Sequence, residues 1–155
     1  MRLKQIESLI SIGKMNYKIN GTTVLLTLEP NELINKTIQN IFVNEKLNFG
    51  WISGLGAVKN IELGYYDLES KTYIKKIFKD DYELLSLTGN VTLVKGDYFV
   101  HSHVVISDKK FNCFGGHLFD AIISAAGEFK ITLENTKITR KFSKEIGLNL
   151  WCDIK

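Results

Sequence analysis

The sequence predicts an α+β domain, a mixed and mostly antiparallel β-sheet packed against one principal flanking helix. Two observations carry this expectation. Apolar residues recur at helical spacing over one sizeable stretch, at Ile34, Ile38, Ile41 and Phe42. From Trp51 onward the pattern changes to alternation with period two and to short apolar runs, which mark half-buried strands. A sheet with one helix across it is the layered arrangement that buries both apolar faces.

The elements follow in order. Leu3, Ile6, Leu9 and Ile10 fall at helical spacing and predict a short amphipathic helix stopping near Gly13. Asn20-Gly21 lies within the β-favouring stretch Met15 to Leu28 and predicts a type I′ hairpin, both residues taking positive φ. Pro30 suits the first turn of the principal helix, where a missing N–H costs nothing, and Glu32 suits its positive end. Lys46 lies near the negative end, with Asn48 and Gly50 closing the helix. Strands are then expected over 51–58, 61–66, 73–78, 84–94 and 98–106, with turns at Asn60, 67–71, 80–81 and 95–97. A loop over 107–116 precedes two or three further strands from Leu118 to about Phe142, with a turn near Asn135.

Composition limits the function classes. The 155 residues are enough for one domain with a real core, and 45% hydrophobic with 24% charged residues is an ordinary globular balance. The net charge of +3 is carried almost wholly by lysine, with arginine only at Arg2 and Arg140. Arginine supplies the planar forks that read bases, so sequence-specific DNA reading is poorly equipped. Two cysteines, Cys113 and Cys152, make no disulfide framework. Lys4, Gln5 and Glu7 interrupt any signal-like apolar region, and no apolar run approaches the roughly 20 residues a membrane helix needs. The cytoplasm is the expected compartment.

The chemistry concentrates in the three histidines, His101, His103 and His117. Residues two apart on a strand face the same way, so His101 and His103 project together, with Cα atoms roughly 7 Å apart. His117 follows Gly115-Gly116, a pair that permits close backbone approach. Three imidazoles meeting at one point form an open, three-ligand metal site. Zinc is the favoured divalent ion, with nickel, copper, iron and manganese open. Taken singly, a strand histidine is more often a hydrogen-bonded core or surface residue. Cys113 offers a fourth ligand, although a small buried thiol is the commoner role.

Four segments together resemble the plants and prokaryotes conserved (PPC) domain family, in its stand-alone prokaryotic form. They are Gly50-Trp-Ile-Ser-Gly-Leu-Gly-Ala-Val58 leading into Leu63-Gly-Tyr-Tyr-Asp67; Tyr82-Glu-Leu-Leu-Ser-Leu-Thr-Gly-Asn-Val91; His101-Ser-His103; and Gly115-Gly-His-Leu118. Their order and spacing match over roughly residues 15 to 150, including the late Gly147-Leu148. The resemblance implies a single domain over 14–155 that forms a homotrimer, with residues 1–13 an amphipathic extension. It implies metal ligation by His101, His103 and His117, usually of zinc. The plant members' Arg-Gly-Arg-Pro AT-hook has no counterpart here. Their partner-docking segment Gly-Arg-Phe-Glu-Ile-Leu reads Asp80-Asp-Tyr-Glu-Leu-Leu85, without the arginine. Where the family often has Gly-Glu ahead of its helix, this chain has Asn31-Glu32.

Other residues admit two readings each. Glu83 and Glu128, in apolar strand contexts, are candidate general bases beside a metal-bound water, or solvent-facing residues paired with lysines. Asp120 could orient a liganding imidazole or lie in an exposed turn. Lys75-Lys76 with Lys79, and Lys137 with Arg140-Lys141 and Lys144, are candidate phosphate contacts or ordinary solvated faces. Gly54-Leu-Gly56 lacks the third glycine of a dinucleotide fingerprint and reads as close packing at a bulge or subunit contact. Trp51, Tyr65 and Tyr66 read as core or interface residues. Three functions fit: a trimeric metal-binding module with weak contact to DNA or a regulatory partner, a metal-dependent hydrolase or lyase, and a sensor with a small anion at the metal.

Overall fold

The computed structural model describes residues 16–152 and 154, so the expected helix at 3–10 and the extension 1–13 lie outside the described residues. Within them the order is β1 (Asn16–Asn20), β2 (Thr23–Leu28), α1 (Ile34–Glu45), β3 (Phe49–Asp67), β4 (Thr72–Phe78), β5 (Tyr82–Val94), β6 (Asp97–Ser107), β7 (Cys113–Glu134), β8 (Thr139–Phe142) and β9 (Asn149–Trp151). The expected mixed, mostly antiparallel sheet with one helix is present. All pairings are antiparallel except that of β5 with β8. β3 pairs β5 and β7, β5 pairs β6, and β6 pairs β7, so these four strands close into a ring. Ring closure leaves those strands without an open edge.

α1 lies across β6 and β7. Its Ile34, Ile38, Ile41 and Phe42 are fully buried in one cluster with Leu26, Ile61, Ile106, Leu118 and Ile131. Each such side chain contributes roughly 1.5–3 kcal/mol by leaving water.

Several boundaries differ from the sequence expectation, each for a physical reason. Asn20 pairs with Thr23, so the hairpin loop is Gly21-Thr22, and only Gly21 has positive φ (56°), the pattern of a type II′ turn. The helix begins at Ile34, not Pro30, because Leu33 is extended and bridges Ile122. It ends at Lys46, which takes the left-handed conformation usually filled by glycine. Gly50 lies instead within β3, where a Cβ would stand 2.7 Å from Ile131 Cγ2. Asn60 does not break the chain into two strands. It adopts φ 50° at an irregularity between Lys59 and Glu62, and β3 runs on through it. The expected loop at 107–116 shrinks to 108–112, because Asp108 Oδ1 accepts hydrogen bonds from Lys110 N and Asn112 N and turns the chain tightly.

Asp120 is neither a turn residue nor a neighbour of the histidine nitrogens. Leu33 has no capping side chain, and Asp120 supplies one from β7, accepting hydrogen bonds from Asn35 N (3.0 Å) and Lys36 N (3.3 Å) at the positive end of α1. Ala121 N donates to it as well, at 2.8 Å. Burial pushes this carboxyl up to about 6 against the pull of its backbone donors, so at pH 7 it is mostly ionised and meets the helix as an anion. Asp120→Ala is expected to cost about 2 kcal/mol by orphaning those donors. An unchanged urea midpoint would show that water replaces the carboxylate without loss.

Candidate metal centre

The hairpin of β6 and β7 assembles the site. Ser107 pairs with Cys113, and that register sets His103 directly opposite His117. His101 lies two residues along β6, on the same face as His103. Gly115 and Gly116 let β7 fit between two neighbours. A Cβ on Gly115 would lie 2.8 Å from Val104 O of β6, and one on Gly116 would lie 2.9 Å from Gly64 O of β3. Ser102 points the opposite way and is fully buried. Its hydroxyl donates to Asn35 Oδ1 (2.9 Å), while Asn35 Nδ2 donates to the carbonyls of Leu118 and Phe119. Helix and both strands are thereby tied behind the histidines.

The three rings stand 5.1, 5.2 and 5.5 Å apart between centroids. One nitrogen from each lies within 4.8 Å of the other two, and among the described residues no cysteine or carboxylate joins the group. His117 is buried, with its Nδ1 lacking any hydrogen-bond partner. Tyr73 lies over the His117 ring at 5.0 Å and Phe119 meets its edge at 5.0 Å. Burial pushes His101 down to about 4, reinforced by Arg140 and His103. Burial also pushes His117 down to about 4, reinforced by His101, His103, Lys75 and Arg140. Both rings are therefore neutral at pH 7 and present lone pairs. This has a stability consequence in the metal-free protein. The folded pKa values lie below the ordinary 6.5, so between pH 6.5 and 4 the unfolded chain binds more protons. Stability is complete above about 6.5 and falls as the pH drops toward 4. Melting of the metal-free protein should be lower at pH 5 than at pH 7.5; equal values would contradict these shifts.

Arg140 is the residue that sequence reasoning misplaced. It is buried rather than part of a basic surface, at 9% exposure. Its Nε donates to Thr92 Oγ1 (2.8 Å), its Nη1 to Asn149 O (3.1 Å) and its Nη2 to Asn90 Oδ1 (3.0 Å). Nη2 also contacts His101 Nδ1 at 3.3 Å, and since arginine only donates, that ring nitrogen accepts. The available signal was its type, an isolated arginine among lysines. Of the other basic candidates, Lys75 pairs with Glu62 (2.9 Å) and lies 3.6 Å from the Phe119 ring centroid, while Lys76 lies over Phe78.

Glu83 and Glu128 are both exposed and outside the histidine group. Glu83 pairs with Ser107, four residues beyond His103 on β6, and Glu128 lines a separate groove with Tyr17 and Leu55. Cys113 is exposed, not buried, with its thiol directed to Phe111 O. At the Gly54-Leu-Gly56 segment the β3–β5 register does shift, and Gly56 packs against Ala126 O. Trp51 is exposed and meets Phe49 edge-on and Trp151 at a tilt.

The class of protein is a small β-rich domain in which four strands close into a ring, with one helix among the described residues and a cluster of three histidines. The Plants and Prokaryotes Conserved (PCC) domain model matches residues 15–136, and the chain belongs to that family, also written PPC. It is 35% identical to a plant- and prokaryote-conserved protein from Pyrococcus horikoshii, with TM-score 0.79, covering 94% of this chain and 99% of that one. It is 32% identical to a metal-containing protein from Archaeoglobus fulgidus, with TM-score 0.79 and coverage of 92% and 100%. A Bacteroides thetaiotaomicron protein proposed to bind DNA is 26% identical, with TM-score 0.86 and coverage of 89% and 96%. No curated protein sequence matches the chain.

Proposed function

We propose that this protein is a homotrimeric metal-binding module in which His101, His103 and His117 hold one divalent ion, zinc. One observation carries the reading: three imidazole nitrogens lie within 4.8 Å of one another, and the buried His117 Nδ1 is otherwise unpartnered. A buried polar atom left without a partner costs about 1–3 kcal/mol, and an ion at this point would satisfy it. The donor set suits zinc, whose bonds of about 2.0–2.1 Å to nitrogen draw three such ligands close together. The description of the Archaeoglobus relative as metal-containing supports the same reading. Zinc held by three neutral ligands supplies Lewis acidity at its open position. Among the described residues no carboxylate joins the histidines, and Tyr73 and Phe119 cover His117.

Self-association is supported by the exposed sheet face. Leu25 and Leu55 are each more than half exposed and line a groove of about 830 Å³. The Bacteroides relative extends the reading to a weak, lysine-based contact with DNA phosphates. With Arg140 buried, that contact would carry little base specificity.

Native mass spectrometry of untagged protein tests metal and assembly together. The expected result is a trimer mass with one zinc per chain. Chains that stay metal-free after incubation with zinc, nickel and manganese would overturn the metal assignment, and a monomer mass would overturn the trimer.

A further inference from the structure

Arg140 is a buried cation with no acidic partner among the described residues. Among the described residues the one ion pair is that of Lys75 with Glu62. Arg140 lines a cavity of about 320 Å³ together with His101 and His117, and among the described residues no aspartate or glutamate contributes to its wall. Tyr73, Phe99 and Phe119 supply aromatic surface there. A cavity of this size is at the small end of the range that takes organic ligands, about 300–1,000 Å³. With a divalent ion on three neutral histidines, the cavity would carry uncompensated positive charge from the ion and from the guanidinium. Such a site selects an anion.

We propose that this cavity binds a small organic carboxylate, with Arg140 as its counter-charge beside the three-histidine ion; the inference rests on the metal reading above. The hydrogen-bond count and the aromatic wall together select the class of anion. Of the five guanidinium N–H groups, four are engaged, by Thr92, Asn149, Asn90 and His101. The fifth has no partner among the described residues. His101 gives up its bond from Arg140 in either mode of ligation. Ligating through Nδ1, it spends the accepting lone pair; ligating through Nε2, the neutral ring carries its proton on Nδ1. A second Arg140 N–H is thereby released. Two donors match the two oxygens of a carboxylate, and although they would pair with a phosphate too, the aromatic wall of Tyr73, Phe99 and Phe119 favours an organic anion. The aromatic walls suit a short apolar body. Metal and carboxylate should therefore bind with positive coupling.

Trp151 supplies the readout, since its ring lies 5.8 Å from the Arg140 guanidinium. The experiment titrates acetate, pyruvate, 2-oxobutyrate and 2-methylpropanoate into metal-free and zinc-loaded protein, following tryptophan fluorescence and heat. The corresponding amides and inorganic phosphate serve as comparisons. At least one carboxylate should bind the zinc-loaded protein about tenfold or more tighter than its amide, and tighter than phosphate, and more weakly when zinc is absent. Arg140→Gln should lose at least about tenfold in carboxylate affinity while keeping its zinc. No binding of any of the four acids to either form would overturn the proposal. So would amide or phosphate binding as tight as the acid, or an Arg140→Gln protein with zinc and affinity both intact. Should that variant not fold, the acid-against-amide comparison on the wild-type protein decides. Should the wild type hold no zinc, the metal reading fails by itself. The Arg140 assignment is then decided by acid against amide in the metal-free protein.

Discussion

His103→Ala is expected to fold as the wild type does and to lose its metal. Of the three histidines, His103 is the exposed one, so its removal takes little packing away. His117 is different: it is buried between Tyr73 and Phe119, and its truncation opens a gap as well as deleting a ligand. Loss of a group that merely orients a ligand typically lowers metal affinity 10–100-fold, so loss of a ligand itself should exceed about 100-fold. Zinc content after dialysis against a weak chelator reads the first effect, and the urea midpoint of the metal-free proteins reads the second. His103→Ala should match the wild type in that midpoint within about 0.5 kcal/mol. A His103→Ala protein that keeps one zinc per chain would remove this residue from the site.

Gly89→Ala should be among the most damaging single-methyl changes in the domain's motifs. Gly89 lies on β5 opposite Ser102 of β6. A Cβ there would stand 2.4 Å from His101 O and 2.9 Å from Ser102 Cα. Both are backbone atoms in a paired strand, so neither can rotate aside as a side chain would. The strands must part at the point where β6 carries His101 and His103. Overpacking typically costs 1–3 kcal/mol, and the fixed backbone puts this case at about 3 kcal/mol or above. Metal content should fall with stability, since the His101–His103 strand moves. Gly96→Ala is the matched control on the same hairpin: nothing lies within 4 Å of its Cβ position, leaving only the strain of its φ of 95°. A Gly89→Ala protein less than about 1 kcal/mol below the wild type would show that β5 and β6 can separate cheaply.

The two variants probe one construction from opposite sides. His103 tests the chemistry presented by β6, and Gly89 tests the backbone packing that holds β6 against β5. Ser102, between the two histidines, joins them: its hydroxyl is fixed to Asn35 on α1, so the helix, the sheet and the site share a single buried bond.

The features legible in the sequence are local and periodic. The 34–38–41–42 stripe specified the buried face of α1, and alternation placed His101 and His103 on one face of a strand. The four motif segments were enough to indicate the family, because they preserve residue types at fixed spacing. The remaining features rest on long-range pairing. Ring closure of β3, β5, β6 and β7, the uninterrupted course of β3 through Asn60, and the β7 strand reaching back to Cys113 all depend on partners far along the chain. Asp120 capping α1 across 85 residues, and Arg140 meeting His101 across 39, leave no trace in local pattern. Periodicity records which way a side chain faces relative to its own backbone. Which other side chain it meets is set by strand pairing, and that is a property of the closed sheet.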